Sequence, residues 1–325
     1  MMNQITRHFL LILALVLVLP TSAHAQSTDE ATSISEEIFG PRREIDEAYG
    51  AFQRGLYLTA LSLALPRAEA DDAFAQTLIA EIYAHGLGVG ENLARASSWY
   101  ALGDKNGDVQ ATFELALLYQ NGRGVPKNRT KAAELFKKAA EIGHREAKYN
   151  LALLHVEGAF AEPNLVRAAE LLKEAAEENL PEARYDYGVV LLEGAGVAPD
   201  PVAGAEQILL AAEAGLGAAQ VEIATLFYLG QGVERDLNAA VGWYKRAAGA
   251  GNSVAQNRLA KLYAVGEGVE LNLESAAMWR SLARRQGLTD ASLDRLLVSI
   301  SPRDLAAGEE RARFWPSVPP TTSDQ

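Results

Sequence analysis

The chain contains no cysteine. That absence excludes a disulfide framework, a thiol nucleophile and thiolate metal ligands. Cations are in deficit: 30 Lys and Arg stand against 42 Asp and Glu, a formal charge of −12. Phosphate backbones and anionic lipid surfaces are bound through Lys and Arg density, so neither nucleic acid nor a membrane surface is an expected partner. Histidine is sparse, five in 325 residues, and no His-x-x-x-His or His–Glu cluster occurs. Two of the five, His8 and His24, precede Gln26, and His85, His144 and His155 occupy three different places in the pattern described below. No Ser is followed at the third place by Lys, and there is no Gly-x-Ser-x-Gly. Gly86, Gly88 and Gly90 lack the Lys-Ser/Thr that a phosphate cradle needs. Asp104 to Asp108 mimics a calcium loop but fails its spacing, with Val109 where Gly belongs and Leu115 where the bidentate Glu belongs. No catalytic, cofactor or metal residue is therefore assigned, and the chain is expected not to be an enzyme.

Long apolar runs are also missing, apart from one at the N-terminus. Arg7 and His8 form a short basic region, Phe9 to Leu19 is apolar throughout, and Ala23-His24-Ala25 has the A-x-A form of a signal-peptidase site. The run of 11 residues falls short of the roughly 20 that span a bilayer. Residues 1–25 read as a signal peptide cleaved after Ala25, which implies a periplasmic or secreted product with no stable membrane insertion; a retained anchor is the alternative. Residues 26–43 are polar and read as a flexible linker.

What the chain has in quantity is glycine, 27 residues, and much of it is periodic. Gly86, Gly122, Gly158, Gly194, Gly230 and Gly266 are each 36 residues apart. A second Gly follows two places later in every copy but the third, where Phe160 stands. A strict period of this length signals a stacked repeat array rather than a closed globule around one active site. Each unit holds two helices. The first begins near Ala75, Ala111, Ala147, Ala183, Ala219 or Ala255, with large residues four and eight places on along one stripe. The Gly-x-Gly turn ends it. The second opens at Asn92, Asn128, Asn164, Asp200, Asp236 or Asn272, an N-cap pattern that also accounts for the glycosylation-like Asn128-Arg129-Thr130. Trp99, Trp243 and Trp279 recur at a packing place of that helix, and Gly107, Gly143, Asn179, Gly215, Gly251 and Gly287 close it.

The string Ala-x-Phe/Tyr-x-Leu-Ala-x-x-Tyr-x-x-Gly-x-Gly-Val, then Asn/Asp, then Ala-x-x-Trp-Tyr-x-x-Ala-Ala-x-x-Gly resembles the Sel-one-like repeat family, a relative of the tetratricopeptide repeat. The copies beginning Ala111, Ala219 and Ala255 match best; His155, Phe160, Leu191 and Gln207 are departures. The resemblance implies an all-α, right-handed α/α superhelical solenoid of stacked helix hairpins. Residues 44–72 form an N-terminal tetratricopeptide-like capping hairpin, Glu44 to Gln53 and Tyr57 to Ala70. Six repeats occupy 73–288. Capping helices, Thr289 to Ser299 and Pro302 to Trp315, fill 289–315, and a disordered tail occupies 316–325.

The resemblance further implies a scaffold role in bacterial envelopes, including regulation of membrane sensors. Residues two, six and nine after the leading Ala fall at about 200°, 240° and 180° on a helical wheel, opposite the packing stripe. In the central copies they are mostly apolar or aromatic: Phe113, Leu117 and Gln120; Tyr149, Leu153 and Val156; Tyr185, Val189 and Leu192; Val221, Thr225 and Tyr228. The outer copies are polar there, with Thr77 and Glu81 at one end and Asn257 and Lys261 at the other. If first helices line the inner curve, these twelve residues form a concave, Tyr-bearing trough for a peptide or helical segment of a partner protein. Packing between units is the competing account of Phe113, Tyr149 and Tyr185. The expected function is a monomeric, non-enzymatic interaction adaptor; a cell-wall-active enzyme of penicillin-binding or hydrolase type and a peptidoglycan-binding module are the alternatives.

Overall fold

In the computed structural model the described residues are 46–158, 162–298 and 300–316. The expected signal peptide and linker, Phe160, Ser299 and all of the expected tail beyond Pro316 lie outside them. The described residues form sixteen helices and no strand. They fall into two compact units, one ending at Leu63 and the other starting at Ala64.

The first unit holds α1 (Glu47–Gln53) and the opening turns of α2 (Tyr57–Glu69). Asp46 caps α1 by accepting from the backbone N–H of Tyr49 at 2.9 Å. Phe52 stacks on Tyr49 and meets Tyr57 edge-on, so these three aromatics form one local cluster.

In the second unit, α3 (Ala73–Ala84) pairs with α4 (Leu93–Lys105), and α5 (Val109–Asn121) with α6 (Arg129–Glu141). The next pairs are α7 (Arg145–Glu157) with α8 (Leu165–Glu177), and α9 (Pro181–Glu193) with α10 (Pro201–Glu213). The last are α11 (Gly217–Leu229) with α12 (Leu237–Gly249), and α13 (Ser253–Val265) with α14 (Leu273–Arg285). Each hairpin packs on the next, which is the repeat solenoid that the 36-residue period demands.

The period places the caps as expected. All six Asn or Asp side chains from Asn92 to Asn272 accept a first-turn backbone N–H of their second helix. The first helices carry caps that the sequence analysis did not single out. Asp72, Asp108, His144 and Asn252 accept from backbone N–H groups, whereas Leu180 and Leu216 offer no side-chain cap. At the turns, Gly122, Gly158, Gly194, Gly230 and Gly266 end their helices in the left-handed region. Asn179 adopts φ 64° in the place that other copies give to Gly.

The second Gly of the turn has an additional reason. A Cβ on Gly196 would sit 2.3 Å from the carbonyl oxygen of Leu165, and one on Gly232 2.0 Å from that of Pro201. Leu165 and Pro201 each begin the second helix one repeat earlier. At Gly196 and Gly232 the turn is therefore a backbone-to-backbone contact between neighbouring repeats, too close for a side chain.

Inside the stack the six leading alanines are at most 1% exposed. Small residues there let helix axes approach, and Tyr100, Phe136, Leu172, Ile208 and Tyr244 fill the space between hairpins from one register of the second helices. In the last repeat that register holds Arg280, only 3% exposed. Its guanidinium donates to both carboxylate oxygens of Asp294, at 2.7 and 2.9 Å, and to the Leu288 carbonyl at 2.8 Å. These bonds hold α15 (Ala291–Leu297) to the end of the array. The final helix, α16 (Pro302–Phe314), lies so close on α14 that a Cβ on Gly308 would come within 2.5 Å of the Glu274 carbonyl. The two closing helices span Ala291–Leu297 and Pro302–Phe314, where Thr289 to Ser299 and Pro302 to Trp315 were expected from the sequence.

Candidate protein-binding face

The twelve expected binding residues sit on α5, α7, α9 and α11, and none is fully buried. Eleven are half-buried, and Val156 is 43% exposed. Phe113, Leu117 and Tyr149 rest against the core of the first repeats. Tyr185, Val189 and Leu192 rest against the cluster around Ile208 and Ile223. Val221 and Tyr228 rest against the C-terminal cluster. In the outer copies the same places hold buried Thr77 and Asn257 and half-buried Glu81 and Lys261.

Several of these side chains are also committed between or within repeats. Phe113 stacks on the His144 ring with centroids 4.4 Å apart and tilts against Phe136 at 5.8 Å. The Tyr149 hydroxyl donates to Asp186 at 2.9 Å. The Tyr228 hydroxyl donates to Glu267 at 2.9 Å, beneath the Arg235 guanidinium. Thr225 shares a hydrogen bond with the Tyr244 hydroxyl at 2.9 Å. Packing thus accounts for much of the placing of Phe113 and Tyr149. Tyr185 differs, because its hydroxyl makes no hydrogen bond among the described residues. Leu153, Val156, Tyr185, Val189 and Leu192 form the part of the strip least occupied by structural duties.

One feature of this face was missed from the sequence. Three places after the leading Ala stand Glu114, Asp186 and Glu222, all half-buried, with Asn150 between them. Burial pushes the Glu114 carboxyl above the usual range; the charge of Glu81 adds to this, while the Gln110 amide, donating at 2.9 Å, works against it. Asp186 is also pushed up by burial, opposed by the Tyr149 hydrogen bond and assisted by Glu182. The signal was present in the 36-residue register. A search for acidic pairs adjacent in sequence, such as Glu177-Glu178, does not find carboxylates aligned across repeats. Those two form ion pairs with Lys173 and Lys148 respectively.

The residues examined for chemistry have structural partners. His85 pairs with Glu81 at 3.1 Å. His144 accepts through Nδ1 from the Ala147 backbone N–H at 3.2 Å, and burial lowers its pKa. Burial, with Arg167 nearby, also lowers the pKa of His155. Asp104 pairs with Lys138 at 2.7 Å and Asp108 caps α5, so neither is arranged as a calcium ligand. Among the described residues no group of three or more His, Cys, Asp or Glu is placed to hold a metal ion. No described helix is long and apolar enough to cross a membrane. Trp279 is buried, and Trp99 and Trp243 pack against the core clusters.

A stack of helix hairpins joined by glycine turns defines a solenoid of the interaction-scaffold class. The Sel1 repeat model matches six consecutive stretches, 73–104, 109–144, 145–180, 181–216, 217–252 and 253–288, and the chain belongs to that family. Sel1 repeats mediate protein–protein interactions. Among solved structures, the chain is similar to a Sel1 repeat protein from Oxalobacter formigenes. The two share 30% identity and a TM-score of 0.66, over 75% of this chain and 98% of that one. It is also similar to c5321, a protective antigen with an SLR fold present in uropathogenic Escherichia coli strains. There the identity is 26% and the TM-score 0.70, over 78% of this chain and 58% of that one. Comparison with curated proteins finds no match.

Proposed function

We propose that the chain is an exported, monomeric, non-enzymatic adaptor of the bacterial envelope. Its first helices bind an extended or helical segment of another envelope protein, in regulation of a membrane sensor or in assembly. The observation that carries this reading is the strip itself. Four consecutive first helices present mostly apolar or aromatic side chains at the same three places, packed well enough to be held in place yet still open to solvent. A surface of this kind contributes contact area at low entropic cost. Export rests on the sequence around Arg7, Phe9 to Leu19 and Ala23 to Ala25.

The test uses Leu153→Ser, Tyr185→Ser and Leu192→Ser together, chosen because none of the three side chains makes a hydrogen bond among the described residues. Helicity and melting are checked first. A photo-crosslinking residue at Val156 then reports which envelope proteins touch the strip in cells. Loss of crosslinks in the folded triple variant is expected. An unchanged set of crosslinked proteins removes the strip from consideration, and recovery of the chain uncleaved in the cytoplasm removes the export reading.

A further inference from the structure

A cavity of about 490 Å³ opens at the C-terminal end of this strip, among α11, α13 and α15. Its size lies within the usual range of ligand pockets, roughly 300–1,000 Å³. The side chains of Leu262, Val265, Leu293 and Leu296 make much of its wall apolar. Thr225 and Tyr228, the last two binding residues of the strip, form the near edge, so the cavity continues that surface.

The charges around it are unequal in their commitments. Lys261 is paired with Asp290 at 2.6 Å. Glu267 is held by Arg235 at 3.1 Å and by the Tyr228 hydroxyl. Arg258 lines the same cavity, is exposed, and forms no hydrogen bond or ion pair among the described residues. It stands at the place that Glu114, Asp186 and Glu222 occupy in earlier repeats, so the register changes sign where the cavity begins. A guanidinium that makes no ion pair among the described residues, beside an apolar wall, suits a ligand that carries one carboxylate on an apolar body. An internal Asp or Glu brings the carboxylate without the apolar body. The C-terminal residue of a polypeptide brings both, on a chain that continues naturally into the strip.

We propose that this cavity takes the C-terminal residue of the partner polypeptide, with an apolar side chain among the leucines and the terminal carboxylate on Arg258. This rests on the reading of the strip as a peptide-binding surface and adds the direction in which the peptide lies: its C-terminus is at α13.

The test is an array of decapeptides with varied internal sequence, ending in Leu, Ser or Glu. Each is made as a free acid and as its amide, and the array is probed with the labelled full chain. Binding by acids ending in Leu is expected to exceed that of the matching amides by at least about tenfold, the scale of one charge-assisted hydrogen bond. Arg258→Ala, at an exposed site, is expected to remove that preference with melting unchanged, and Arg258→Lys to keep part of it. Equal binding of acids and amides overturns the assignment. If that equal binding is lost in the Leu153, Tyr185 and Leu192 triple variant, the strip still binds peptide and only the cavity assignment falls. Displacement of a Leu-ending acid by dodecanoate at equal concentration overturns it in favour of a fatty-acid site.

Discussion

The hydroxyl of Tyr149 on α7 donates to a carboxylate oxygen of Asp186 on α9 at 2.9 Å, joining the third repeat to the fourth. The bond places a charged acceptor in a half-buried setting and partly offsets the cost of its burial. Tyr149→Phe removes the donor and leaves the ring. A loss of about 1–2 kcal/mol in unfolding free energy by urea titration is expected. The same change in an Asp186→Asn background should cost less, because a charged acceptor is no longer left without its donor.

Glu114 yields a prediction of opposite sign. Its folded pKa is raised, so folding favours the protonated form. That contribution is complete below the unfolded carboxyl value of about 4.5 and is lost as pH rises through the folded value. At neutral pH the buried charge therefore works against the fold. Glu114→Gln retains an acceptor for Gln110 and should raise the melting temperature at pH 7. The advantage should disappear as pH falls below about 4.5, and thermal melts at pH 7, 5 and 4 check this. A variant less stable than the parent at pH 7 contradicts the argument.

The turn glycines separate two effects that both read simply as Gly in the sequence. Gly215 has φ 98° with nothing within 4 Å of an added Cβ, so Gly215→Ala meets only the left-handed backbone penalty, about 1–2 kcal/mol. Gly232 has φ 71° and the Pro201 carbonyl oxygen 2.0 Å from that Cβ. Gly232→Ala should cost a further ~1–3 kcal/mol, because the preceding hairpin must move away. Chemical denaturation of the two variants side by side measures the difference.

Arg280 closes the array. Its side chain is 4% exposed and that of its partner Asp294 is 45% exposed, so the pair is only half removed from water. Arg280→Met fills much of the same volume but leaves the Leu288 carbonyl and Asp294 without this donor. A loss of about 2–3 kcal/mol is expected. Amide exchange should show the change first in α15, the helix that the guanidinium holds.

The repeat architecture was legible because it depends on local chemistry repeated at a fixed interval. A positive-φ turn needs Gly122 or Gly194, a free helix N-terminus is satisfied by Asn92 or Asp236, and close helix approach needs Ala111 or Ala219. Each requirement is met within a few residues of its cause, so counting along the chain recovers it. The strip of apolar residues was likewise visible as a register. The His144 cap was less readable, since His is an uncommon cap and the ring also stacks on Phe113 from the preceding repeat.

By itself, the sequence determined the class of fold, the length of the repeat and the ends of its helices, because backbone conformation and hydrogen-bond satisfaction are decided locally. Only the tertiary structure decided which side chains are spoken for. Tyr149 and Tyr185 hold the same place in successive repeats, yet the first gives its hydroxyl to Asp186 and the second makes no such bond among the described residues. Arg258 and Lys261 lie one helical turn apart, yet among the described residues only Lys261 of the two pairs with a carboxylate. Those differences arise from the packing of one hairpin on the next, through distances that no spacing along the chain encodes.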